Sequence, residues 1–181
     1  MDVAVLLILA ADFGFTTLHS WQEWKGAGGP LWRNFGAIVG LEIPDAIGFP
    51  LFTVGLTLML FAVGFIAIIG PLGHTWTAFA LGALIGARLS DTLVSHVRLY
   101  VKGYRPNPGL SSTPLYLLEA CFLAWLFHTR LSANSSIATV GFVIGAASFV
   151  VVLPMLRLVR LALPSLRRTP WQPGKPMPLE Q

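Results

Sequence analysis

Six ionisable side chains, His19, Glu23, Glu42, Asp45, Asp91 and His96, lie within or at the ends of apolar stretches long enough to cross a bilayer. Imidazole and carboxylate are the groups that exchange protons near neutral pH and that bind divalent metals. A charge in hydrocarbon costs roughly 2.5–3.5 kcal/mol on insertion scales, so a chain that keeps several of them has a use for them. Two chemistries suit the set. The first is acid–base catalysis: an apolar setting favours the protonated carboxyl, which can donate at one carbon while an imidazole removes a proton at another. That is the chemistry of double-bond isomerisation or proton-initiated cyclisation of a lipophilic molecule such as an isoprenoid, polyketide or sterol. Glu42 is the expected donor and His96 and His19 the base or orienting groups, with Glu23, Asp45 and Asp91 tuning them. No cofactor is needed. The second chemistry is metal-dependent, with His19, Glu23, Glu42 and His96 holding a single zinc or iron ion. A third reading is non-enzymatic, a small transporter or accessory membrane subunit whose intramembrane acids relay protons.

Local spacing narrows the geometry. Asp12, Thr16, His19 and Glu23 recur at i, i+4, i+7 and i+11, one polar stripe on an otherwise apolar helix. Glu42 and Asp45 are i, i+3 neighbours around Pro44. Asp91 and His96 are five apart, about 140° around an α-helix, so both reach one centre only if the helix is locally distorted. Arg88 and Asp91 have the i, i+3 spacing of an ion pair. Glu119 and Asp12 sit deeper and, with Trp21 and Trp24, are candidate substrate contacts. An interfacial aromatic belt also accounts for Trp21, Trp24 and Trp32.

The elements that must position these groups are membrane helices. The chain has 181 residues, 55% hydrophobic and 11% charged, with a mean hydropathy of +0.71, outside the balance of a water-soluble domain. The expected fold is an all-α, polytopic transmembrane bundle of about five spans near residues 3–20, 46–70, 75–100, 114–128 and 137–163. Residues 35–45 form a lead-in to the second span. A continuous helix over 35–70 would be about 54 Å long, so Pro44 and Pro50 are expected to break it. Residues 1–165 form one domain, and 166–181 a polar, Pro-rich, flexible tail. The N-terminus lacks a basic segment and a small-residue cleavage site, so it reads as a retained first span.

With five spans, one side carries Lys25, Arg33, Arg98, Lys102, Arg105, Arg157, Arg160, Arg167, Arg168 and Lys175, and the other only Arg130. The positive-inside rule then puts the N-terminus outside and the C-terminus in the cytoplasm. This arrangement accounts for the net charge of +4 without nucleic acid, which is excluded as a partner. The expected partners are membrane lipid, a lipophilic substrate and, as an option, a second copy in a homodimer. The lone Cys121 cannot form an intramolecular disulfide and is expected to be a buried, inert thiol.

The segment HSWQEW, then FGAIVGLE, then VSHVRLYVKGYRPNPGLSST, resembles the bacterial HXXEE-domain integral membrane proteins over about residues 16–130. In that family a His is followed three and four residues later by Glu, an acidic site opens the next span, and a later His precedes a Pro-Gly-Leu-hydroxyl motif. Here these positions are His19, Gln22, Glu23, Glu42, His96 and Pro108-Gly109-Leu110. The resemblance implies a multi-pass protein of the bacterial inner membrane. Gln22, Ile43 and Thr92 stand where further family acids or a histidine are expected. These losses fall on positions that a two-metal centre would use, which ranks the metal reading behind acid–base chemistry.

Overall fold

The computed structural model describes residues 3–26 and 30–175, and every regular element among them is helical apart from an isolated bridge between Leu41 and Arg167. The helices are α1 (Val3–Lys25), α2 (Leu31–Val39), α3 (Asp45–Ile69), α4 (His74–Val101), α5 (Leu110–Leu126), α6 (His128–Ala133), α7 (Ser135–Val150) and α8 (Val152–Ala162). Three of them, α1, α3 and α4, are long and apolar enough to cross a membrane. A fourth such span is reached if α7 and α8, which meet at a 47° bend, are one broken span. α5 is apolar but shorter.

Helix α1 is inside out relative to a soluble helix. Its buried residues are Asp12, Thr16, His19 and Glu23, the polar stripe, while Val3, Leu6, Leu7 and Leu18 face outward. A helix placed this way in water would expose its apolar side and bury its polar one; hydrocarbon outside the bundle removes the conflict. Antiparallel to it runs α3, with Thr57 bonded to Ser20 near one end and Gly64 against Asp12 further along.

Helix α4 is the axis of the bundle and the most buried of the long helices. Its glycines Gly82 and Gly86 lie on α7 around Gly141 and Gly145. A Cβ at any of the four would run into the opposing backbone at Ala138, Phe142, Phe79 or Ala83. This is small-xxx-small packing, in which close backbone approach supplies the van der Waals contact that hydrophobic exclusion cannot supply in lipid. Leu81, Leu84, Ala67, Ile68, Leu123 and Phe127 fill the space between α3, α4 and α5. Cys121 is not part of this core; it is exposed on α5.

The second apolar region breaks once, not twice. Gly40 closes α2 in a left-handed conformation (φ 73°), and Pro44 precedes the first turn of α3. Pro50 lies within α3, where residues Phe49–Gly55 take π-helical winding. The wider turn accommodates a residue that cannot donate to the regular ladder.

Residues 166–175, expected to be a loose tail, pack along one end of the bundle. The N–H groups of Arg168, Trp171 and Gly174 bond to the carbonyls of Gly40, Ala37 and Gly103, and the Glu42 N–H bonds to Leu166. Trp171 packs edge-on against Tyr104. The backbone groups left free by the turns after α2 and α4 are the partners that hold this segment down. Residues 176–181 of the expected tail lie outside the described residues.

Candidate metal centre

At that same end, side chains of α1 and α4 meet, and the loop before α5 closes over them. His19 and Glu23 are the last members of the α1 stripe. Asp91 and His96 come from α4, where residues Asp91–Val97 are π-helical. With about 4.4 residues per turn, residues five apart fall on nearly one face. The helix distortion that the spacing required is therefore present at the residues that need it.

The four side chains are buried and converge. The Nε2 atoms of His19 and His96 are 3.2 Å apart. Glu23 Oε1 is 3.4 Å from each of them. Asp91 Oδ2 lies 3.0 Å from His19 Nε2 and Asp91 Oδ1 3.6 Å from His96 Nε2. One donor atom from each of the four lies within 4.8 Å of all the others.

The loop fixes which ring nitrogens carry protons. Ser112 Oγ donates to the Gly109 carbonyl at 2.9 Å, so toward His19 Nδ1, 2.6 Å away, it accepts. The Asn107 amide nitrogen donates to the carbonyls of Ser95 and His96. Its oxygen therefore faces His96 Nδ1, at 2.6 Å, and also accepts. Both imidazoles thus carry hydrogen on Nδ1 and, when neutral, aim their Nε2 lone pairs at each other and at two carboxylates. Four electron-rich atoms in a buried space repel unless a cation or extra protons lie among them.

A metal ion satisfies these constraints. Donors about 2.0–2.1 Å from a tetrahedral ion lie about 3.3–3.4 Å from one another; the separations that involve an imidazole run from 3.0 to 3.6 Å, and the whole set closes to within 4.8 Å. Two neutral imidazoles and two carboxylates balance a divalent charge. Each histidine has its Nδ1 held by an oxygen acceptor, an arrangement also found in the outer shell of histidine metal sites. Gly109 (φ 86°) lies against the rings: a Cβ there would be 2.7 Å from His96 Cε1, 2.9 Å from His19 Cε1 and 3.0 Å from Glu23 Cγ.

Not every residue expected at the site reaches it. Glu42, the expected proton donor, is half exposed and paired with Arg168. The left-handed turn at Gly40 and the bond from its N–H to Leu166 hold it at the bundle end, outside the cluster. In the metal set its place is taken by Asp91. Asp45 is likewise exposed and bonded to Arg33 and Trp32. Arg88 does not pair with Asp91; it pairs with Asp12 and Glu119, which are tied up in that ion network. Trp21 and Trp24 line an open apolar groove of about 290 Å³ between α1 and α3, on a different side of α1 from the cluster.

Spacing gives Asn107 and Ser112 no role; the signal for this loop is the Pro108-Gly109-Leu110 motif of the family resemblance, on which Gly109 lies. Tyr116 was also unforeseen. It is buried with its ring 4.4 Å from that of His19, and its hydroxyl makes no hydrogen bond among the described residues. No family model, curated protein or solved structure matches this chain.

Proposed function

We propose that this protein is a multi-pass membrane metalloenzyme that acts on a lipophilic small molecule, with one zinc or iron ion held by His19, Glu23, Asp91 and His96. The observation that carries the reading is the convergence of two lone-pair-bearing Nε2 atoms, 3.2 Å apart, with two carboxylates 3.0–3.6 Å from them. Structural zinc sites are characteristically rich in cysteine, whereas histidine with carboxylate is the donor set of catalytic centres. With the chain filling four positions, such an ion would supply Lewis-acid chemistry by taking a fifth ligand, as zinc does when its coordination expands. The chain's own residues position the ligands: Asn107 and Ser112 set the imidazole tautomers, and Gly109 lets the loop approach the rings.

The same reading includes five passes through the membrane, with α5 and the bent α7–α8 unit as the fourth and fifth. Supporting it, successive long helices alternate in direction, and the basic residues after α1, α4 and α8 gather at the metal end. By the positive-inside rule that end is cytoplasmic. The resemblance to HXXEE-domain proteins points to a bacterial inner membrane.

Elemental analysis of the protein purified in mild detergent tests the proposal. Near-stoichiometric metal that disappears in His96→Ala and Glu23→Gln, and persists in Glu42→Gln, is the expected result. A metal-free wild type would instead favour acid–base chemistry by the same four side chains, with the 3.2 Å imidazole pair sharing a proton.

A further inference from the structure

Deeper in the bundle lies a second buried group of charges that the metal reading does not use. Arg88, on α4, is 1% exposed. Its Nη2 donates to Asp12 Oδ1 at 2.8 Å and also to Thr16, both on α1. Its Nε lies 2.9 Å from Glu119 Oε2 on α5. The guanidinium stands 4.0 Å over the ring of Tyr116, also on α5. From α3, Gly64 lies against Asp12, and its missing side chain makes room for the carboxyl. The titratable and charged groups facing one another here are thus Asp12, Arg88, Glu119 and Tyr116.

One guanidinium shared by two carboxylates leaves a net negative charge on the group. A buried, uncompensated charge is costly, and a group in that position takes up a proton instead. The geometry shows where. Nε and Nη2 share one edge of the Arg88 guanidinium, so the Glu119 and Asp12 carboxyls that meet them are neighbours, and Asp12 Oδ2 and Glu119 Oε1 have no hydrogen-bond partner among the described residues. Two carboxylates facing each other repel; a carboxylic acid facing a carboxylate makes a strong hydrogen bond.

We propose that Asp12 and Glu119 bind one proton between their carboxyl groups, so that with Arg88 they form a neutral proton-binding site in the bundle interior. The count is one guanidinium, one carboxylate and one carboxylic acid. Because Thr16 ties Arg88 to the α1 stripe, the site is the inner end of a polar track whose outer end is the His/carboxylate centre. It stands on its own geometry whether or not that centre holds a metal.

Infrared spectroscopy of the full-length protein in lipid at neutral pH tests this. The expected result is a protonated-carboxyl C=O band that shifts in D2O and is lost in Asp12→Asn and in Glu119→Gln. It persists in Glu42→Gln. If the amide variants do not fold, Asp12→Glu and Glu119→Asp keep a carboxyl, and at least one must move the band. A wild-type spectrum without the band would overturn the proposal, as would a band unmoved by every change at Asp12 and Glu119.

Discussion

Asp91 and His96 both reach His19, Asp91 Oδ2 at 3.0 Å and His96 Nε2 at 3.2 Å from its Nε2, because the helix between them is wound with five residues where an α-helix would place four. The extra residue is absorbed without displacing either flank, which is how a π-bulge differs from a frame shift. Such bulges cluster at functional sites, and this one sits at the centre of the ligand set.

Deleting Leu93, which is exposed on the bulge, should therefore be tolerated. Asp91 and His96 become i, i+4 neighbours on one face of a regular α-helix, and metal content stays near that of the wild type. Inserting one alanine after Leu93 should swing His96 by about 100° and abolish binding. Metal analysis of the two variants, equal in length change and opposite in sign, checks this.

Asn107→Ala and Ser112→Ala each remove the oxygen that orients one imidazole. Loss of an outer-shell partner typically weakens metal affinity by about 10–100-fold. The expected outcome is a folded protein with reduced affinity in competition with a chelator, and a larger loss in the double variant than in either single one. Equal affinity across the series would remove these residues from the site.

Gly109→Ala faces two penalties at once. The left-handed backbone disfavours a Cβ, and the Cβ would press on both imidazoles and Glu23. The loop has to lift, carrying Asn107 and Ser112 with it. Metal binding should fall more than in either of those single variants, while the far end of the bundle is unaffected. Crosslinking or hydrogen exchange across α4–α7 checks the second half of that outcome.

Gly86→Leu tests the packing. The opposing atoms are the backbone of α7 at Phe142 and Ala146, which cannot rotate aside as a side chain can. Overpacking typically costs about 1–3 kcal/mol, and a clash with backbone belongs at the upper end. A clear drop in the detergent unfolding temperature is expected, whereas the same change at Gly14, which has open space around it, should leave it unchanged.

The stripe on α1 could be read directly from the chain because periodicity alone places Asp12, Thr16, His19 and Glu23 on one face, and a polar face on a membrane helix turns inward. All four are buried. The gathering of both histidines, Glu23 and Asp91 at one end also followed from helix order. Depth and direction did not. Glu42 was chosen for its place at the start of an apolar run, but the turn at Gly40 and a partner from the far end of the chain, Arg168, draw it to the surface. The Arg88–Asp91 pairing was sound as a local rule and lost to Asp12 and Glu119, which approach from other helices.

By itself the sequence determined an all-helical chain with membrane-length apolar segments and a set of titratable residues kept to their polar faces, because composition and periodicity are properties of each helix alone. Only the tertiary structure decided which of those residues meet. The loop of Asn107, Gly109 and Ser112 folds back onto histidines from two helices, and the local winding at Asp91–Val97 turns a 140° separation into a shared face. Contacts between segments far apart in sequence, and departures from ideal helix geometry, depend on packing that no single segment encodes.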